Sequence, residues 1–288
     1  MRSGVLDRAR GTWGRVVAAR PHSPTLDTAF VIVDRDTATA GSLLAGALAY
    51  RLFLWLLPAA LVSYAGLGFA ASDGPASAAD AANAAGMRQV TAASIRQAAE
   101  DAHRNRWAAF LVGLVLLYVA SSHLLKALRA ASMLAWEGST RRQKTTPVAV
   151  LAVMAFSAAV TLVAVGTASL RREGSTLGLL SLIVLAAVWA ALWWVASYLL
   201  PHGKATALHL VPGAIVFGIG VQLLYVLTVV YFIRKIGSAS ELYGTLGAAA
   251  TLLLWLYLLA RLIVGASVVN AVLWERGTVP QLIGRLMR

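Results

Sequence analysis

Long apolar runs alternate with polar segments along most of the chain. Each run is close to or above the roughly 20 residues that a helix needs to cross about 30 Å of hydrocarbon. Such runs are typical of membrane spans, and their alternation predicts an all-α, polytopic membrane protein built as a six-transmembrane-helix bundle. The predicted spans cover residues 42–70, 107–125, 147–170, 176–200, 208–233 and 245–273.

The polar segment between the first two spans, residues 71–106, is long enough to form structure of its own. It opens with SDGPASAAD and continues as an Ala-rich stretch of mixed charge, which favours a helical extracytoplasmic insertion. No internal repeat or low-complexity linker divides the chain. We therefore expect an N-terminal segment at 1–41, one membrane domain at 42–275 that includes this outer loop, and a tail at 276–288.

Composition supports lipid as the solvent. The chain is 59% hydrophobic, its mean hydropathy is +0.73, and 13% of its residues are charged, against about 25% in typical soluble domains. The formal charge of +13 would suggest a nucleic-acid partner in a soluble protein. In a membrane protein, basic loops held on the cytoplasmic side explain the same excess, so we expect membrane lipids and no nucleic acid as partners.

The distribution of basic residues predicts the orientation. Fifteen Lys and Arg residues fall on the side that holds both termini and eight fall on the other side. Both termini are therefore expected in the cytoplasm. The stretch LDRARGTWGRVVAARP near the start fits either a helix lying in the membrane interface or a solvated tail.

Two arginines lie inside predicted spans. Arg51 and Arg261 are each about ten residues from the cytoplasmic end, which places both roughly 15 Å deep at a rise of 1.5 Å per residue. No acidic residue lies within an apolar run, so we expect neither guanidinium to have a carboxylate partner there. A charge at the bilayer centre costs at least about 2.5 kcal/mol. Two interpretations stay open: a wet cationic cavity that binds an anionic headgroup or solute, or structural arginines that reach the interface or backbone carbonyls.

Other polar residues in the spans extend the candidate substrate site. Tyr50 adjoins Arg51, Tyr257 precedes Arg261 by one turn, and Asn270 follows it in a small-residue stretch. A hydrogen bond between helices is the alternative role for each of them. No residue at ligand spacing accompanies His123, the chain has no cysteine, and no motif supplies a nucleophile or a phosphate loop. We therefore expect no metal site, no cofactor and no enzymatic activity.

Three segments resemble the YihY/virulence factor BrkB family. They are PGAIVFGIGVQLLYVLTVVYFIRK, LYGTLGAAATLLLWLYLLARLIVGASVVNAVLWERG and, in the first span, ALAYRLFLWLLPAAL. The resemblance covers most of residues 28–276. The matching positions are Tyr50, Pro58, Gly213, Tyr243, Gly244, Gly247, Trp255, Tyr257 and Asn270.

The resemblance implies a multi-pass protein of the bacterial inner membrane, linked to serum resistance and envelope transport. Members were once labelled ribonuclease BN, but this chain lacks the metal ligands or acid-base pair that such hydrolysis needs. The family commonly has Gly-Ala-Glu-x-Asn in the sixth span, whereas Val268 stands here in place of the acid. We expect a transporter or flippase-like protein that handles an anionic lipid or solute around Arg51 and Arg261. The alternative is a non-transporting envelope scaffold that acts through partner proteins.

Overall fold

The computed structural model describes residues 20–70, 92–136, 146–170, 176–228 and 245–277. Within these ranges the ordered elements are helices, and no strand occurs. Two short 3-10 turns cover Arg20–His22 and Ala207–Leu210. The α-helices are α1 (Pro24–Ala38), α2 (Gly41–Ala70), α3 (Ala92–Ala135), α4 (Pro147–Leu170), α5 (Thr176–Leu199), α6 (Val211–Leu227) and α7 (Thr245–Glu275).

Five of the predicted spans are confirmed as helices long and apolar enough to cross a membrane. The apolar stretches are Gly41–Ser63, Trp107–Ala135, Leu182–Leu199, Ala207–Leu227 and Ala249–Glu275. In α4 the qualifying stretch, Pro147–Val160, is shorter, so the sixth span stays a prediction. The chain is a multi-pass membrane protein. The predicted insertion falls partly outside the described residues, at 71–91, while its last part is the beginning of α3.

The predicted end of the second span at residue 125 is wrong. Helix α3 continues for ten more residues to Ala135, through Lys126 and Arg129, which the charge pattern assigns to a loop. Buried residues such as Ala131 and Ala135 continue the apolar face past these cations and hold the extra turns against the bundle. Tertiary packing therefore outweighs the local signal that two basic residues give.

Helix α1 precedes the first span and lies inside the segment predicted as N-terminal. Ser23 caps it by accepting a hydrogen bond from the Leu26 amide at 3.5 Å, and Pro24 occupies its first turn, where proline is tolerated. A tight turn through Ala40, whose φ is +51°, leads directly into α2. Most of the stretch predicted as interfacial lies outside the described residues, at 1–19.

Helix α7 occupies the centre of the bundle and packs against α1, α2, α3 and α6. Its buried residues Ala260, Val264, Val268 and Val272 recur every fourth position and form one apolar face. Val268, where the resembling family commonly has an acid, is fully buried in this core. The central position of α7 explains why Arg261, near the middle of this helix, needs a partner inside the protein.

Candidate functional site

Arg261 forms a two-pronged salt bridge with Asp36. Its Nη1 and Nη2 donate to the two carboxylate oxygens of Asp36 at 2.9 and 3.0 Å. The side chains are 34% and 22% exposed, so the pair is largely withdrawn from solvent. The expectation that Arg261 has no carboxylate partner is therefore wrong. The acid comes from the last turn of α1, an element that the hydropathy pattern does not reveal.

The salt bridge lies against the first residue of α2, Gly41. A Cβ at Gly41 would overlap Asp36 Oδ1, and it would approach Asp36 Cγ to 2.7 Å and Arg261 Nη1 to 3.1 Å. Only glycine leaves room for the carboxylate at this helix start. Backbone amides at the N-terminus of a helix also favour a negative charge, so Asp36 is stabilised both by Arg261 and by the beginning of α2.

Further contacts hold α1 on the end of α7. Asp27 accepts from Arg20 Nε at 2.8 Å and from Arg276 Nη2 at 2.7 Å, and Arg35 Nη2 donates to Glu275. The hydrogen bond from Arg20, and then the one from Arg276, lower the pKa of Asp27 below its ordinary value of 3.8. With the Asp36 contact, these pairs form a row that we call the α1 clamp.

Arg51 has a different environment. It is half-buried on α2, ten residues beyond Gly41 and therefore about 15 Å further along the helix axis. Among the described residues, no hydrogen bond or ion pair reaches its guanidinium. The structure does not join Arg51 to Arg261, because the guanidinium of Arg261 points to the start of α2. The two cations are thus separate sites rather than two walls of one site.

The two candidate tyrosines, Tyr50 and Tyr257, also lie in different environments. Tyr50 is 53% exposed, and a one-residue step turns a helix by about 100°, so it does not share a direction with Arg51. Tyr257 is half-buried one turn before Arg261 and within electrostatic range of it. Tyr257 therefore belongs with the Asp36 pair, whereas Tyr50 contacts the surroundings of the bundle.

Asn270 ties α6 to α7. Its side-chain oxygen accepts a hydrogen bond from the Gly213 amide at 2.7 Å, and Asn270 is 1% exposed. A Cβ at Gly213 would overlap the Ala266 carbonyl oxygen and approach Asn270 Cγ to 2.6 Å, so the close contact needs glycine. The bond supplies an acceptor to one of the first amides of α6, which lack a partner within their own helix. Asn270 therefore has a structural partner within the protein.

Sequence reasoning missed Arg129 as a candidate. The charge pattern places it in a loop, but it lies within α3, and its Nε and Nη1 atoms are buried without a hydrogen-bond partner among the described residues. The signal that could have found it is the apolar sequence around it, which continues at helical spacing to Ala135.

Potential metal ligands are scattered through the part of the chain that the structure describes. No group of three or more His, Cys, Asp or Glu residues comes together there. His123, the histidine considered as a ligand from the sequence, is exposed on α3.

Comparison with protein families gives one match. The model described as Virulence factor BrkB matches residues 32–283, which is most of the chain. No curated protein and no solved structure gives a significant match.

Proposed function

Because the chain belongs to the Virulence factor BrkB family and is a multi-pass membrane protein, we propose that it accommodates or moves an anionic lipid or solute. In this proposal Arg51 is the cation that meets the ligand. Arg261 takes part only after its salt bridge with Asp36 opens. The proposed ligand carries a phosphate, carboxylate or comparable anionic group.

The main support for this proposal is that Arg51 has no hydrogen-bond or ion-pair partner among the described residues. Each carboxylate whose side chain the structure describes already contacts an arginine other than Arg51, and these acids are Asp27, Asp34, Asp36 and Glu275. A half-buried guanidinium in an apolar helix still needs an acceptor, because charge at membrane depth is costly. An anion from outside the chain satisfies that need.

The Asp36 pair is suited to the role of a gate. An anionic group that approached Arg261 would compete with Asp36 for the same two nitrogen atoms. Losing this contact would release the end of α1 from α7 and expose the start of α2. Ligand binding and movement of α1 would then be coupled, because the ligand replaces the Asp36 carboxylate at Arg261.

The test is lipid and solute movement in reconstituted vesicles. The purified protein is placed in phosphatidylcholine vesicles that contain a trace of fluorescent phosphatidylglycerol, and quencher accessibility reports its transfer between leaflets. A charge-assisted hydrogen bond contributes about 1.5–3 kcal/mol, so Arg51→Gln is expected to slow transfer about tenfold or more. Uptake of small anions by the same vesicles tests the solute alternative.

Two control variants distinguish a specific role of Arg51 from a general effect of positive charge. Lys204→Gln removes an exposed cation between α5 and α6 and should leave transfer unchanged. Arg51→Lys keeps the charge and should retain part of the activity. Full transfer of anionic probes by well-folded Arg51→Gln would remove the proposed role of Arg51. No transfer of either probe by the wild type would favour the envelope scaffold.

A further inference from the structure

Arg129 is a second guanidinium without a carboxylate. Its Nε and Nη1 atoms are buried and have no hydrogen-bond partner in the described part of the chain. The described carboxylates all contact other arginines, so none is left to neutralise it. Two buried guanidinium N–H groups without acceptors cost free energy of folding. A ligand from outside the chain that accepts hydrogen bonds from them would remove that cost.

Helix α5 presents a row of unpartnered donors at four-residue intervals. Trp189 Nε1, Trp193 Nε1 and Ser197 Oγ are each buried without a partner in the described part of the structure. The spacing places them on one face of the helix. Trp193 and Ser197 are only 6% and 7% exposed, and buried polar groups of this kind are nearly always satisfied in native proteins.

A hydrogen bond between α3 and the segment after α5 brings Arg129 and Ser197 to a similar level. Ser132 Oγ donates to the Pro201 carbonyl oxygen at 2.6 Å. Arg129 precedes Ser132 by three residues and Ser197 precedes Pro201 by four. Since the C-terminal ends of both helices meet at this bond, Arg129 and Ser197 each lie about one turn, or roughly 4.5–6 Å, inward from it.

We infer that Arg129 and Ser197, each about one turn from the Ser132–Pro201 hydrogen bond, bind the phosphate group of an anionic phospholipid. The unpartnered atoms on both helices can donate, and a phosphate diester offers several acceptor oxygens that match the arginine fork. Both helices are apolar spans, and the site lies near their ends, where headgroups of a bilayer are found. Lys126, one turn before Arg129 on the same helix, is exposed and is not part of the site.

The experiment measures bound lipid by native mass spectrometry. Wild-type protein is purified in neutral detergent with equal amounts of phosphatidylglycerol and phosphatidylcholine, and it should retain phosphatidylglycerol preferentially. Arg129→Gln should lower that retention about tenfold or more, because a charge-assisted pair of bonds is lost. Ser197→Ala should lower it several-fold, and Arg129→Lys should fall between wild type and Arg129→Gln.

Matched controls decide between this site and a general basic surface. Lys126→Gln should retain phosphatidylglycerol at the wild-type level, and an equal loss in this variant would overturn the inference. Wild-type retention by Arg129→Gln would overturn it too. If Arg129→Gln does not fold, Ser197→Ala and Arg129→Lys decide the question, since unchanged retention in both contradicts the site.

A further arm identifies the source of the phosphate. Addition of inorganic phosphate at millimolar concentration should not displace the lipid, and displacement would overturn the lipid assignment in favour of free phosphate. The site does not depend on the proposed role of Arg51. Accordingly, Arg129→Gln should lower retention by the same factor in the Arg51→Gln background as in the wild type, whether or not Arg51→Gln still moves lipid between leaflets.

Discussion

At the residue scale, the contact of Asp36 with Arg261 depends on a missing side chain. Asp36, Arg261 and Gly41 come from three helices, and the carboxylate lies where a Cβ of residue 41 would be. The position is therefore sensitive to the smallest possible substitution. Gly46, about one and a half turns further along α2, has open space around it and provides a control on the same helix.

We predict that Gly41→Ala destabilises the protein, whereas Gly46→Ala does not. Alanine at 41 must displace Asp36 or tilt α2, and weakening a charge-assisted contact costs about 1–3 kcal/mol. Alanine at 46 should stabilise α2 by up to about 1 kcal/mol through its better helix propensity. Unfolding in mixed detergent micelles measures both. Equal stability of the two variants would contradict the described position of Asp36.

Asn270 yields a prediction of the same kind. Asn270→Ala leaves the Gly213 amide without its acceptor in a buried contact, which should cost about 1–3 kcal/mol. Ser267→Ala is the matched control, because the Ser267 hydroxyl bonds to the Ile263 carbonyl of its own helix and joins no other element. The same unfolding assay should show a loss for Asn270→Ala and little change for Ser267→Ala. The reverse order would show that Asn270 does not hold α6 on α7.

At the element scale, α1 is attached to the bundle by a row of ion pairs and by partly buried apolar residues. None of its described residues is fully buried, although Val31 and Ile32 pack against the core, so ion pairs supply much of its attachment. The row of contacts in the α1 clamp runs from Asp27 near the start of the helix to Asp36 near its end. Such an element should separate from the bundle before the bundle itself unfolds.

The clamp should weaken in acid. The pKa of Asp27 is lowered in the folded protein, so its contribution to stability is present above the ordinary value of 3.8 and disappears as the pH falls through the lower folded value. We predict that hydrogen exchange of Pro24–Ala38, corrected for intrinsic rate, increases below about pH 4.

Asp27→Asn tests the source of that increase. The variant should exchange faster than wild type at neutral pH, and its additional acid-induced step should be smaller. Asp34→Asn is the control, because Asp34 is mostly exposed and its nearest cation atom, on Arg20, is 3.8 Å away. An acid step in Asp27→Asn as large as in wild type would assign the effect to other groups.

At the scale of the whole molecule, the sequence predicts the spans that the thickness of the bilayer requires. It does not predict which side chains pair with one another inside the protein. Apolar run length located α2, α5 and α7 within a few residues, because each must cross the same thickness of hydrocarbon. The pattern did not predict α1, whose longest apolar run, AFVIV at residues 29–33, is far too short to span a membrane. It also ended α3 too early, because Lys126 and Arg129 resemble loop residues until the bundle is assembled around them.

The candidate site shows the same division. Arg51 and Arg261 were identified because charge is rare in apolar runs, a property of each residue alone. The partner of Arg261 is 225 residues away, and no local signal connects Asp36 with it. The burial of Arg129 depends likewise on packing of α3 against the rest of the bundle. Cations could therefore be located from the sequence, but which of them lack a carboxylate could not.

The order of the α1 clamp along the chain has a consequence for biogenesis. Translation produces the α1 residues Asp27, Arg35 and Asp36 more than 200 residues before their partners Arg276, Glu275 and Arg261. While the intervening helices are inserted, the charged side chains of α1 that pair with α7 have no partner there and are solvated by water. Insertion of α7 then closes the row, so docking of α1 reports that α7 is in place.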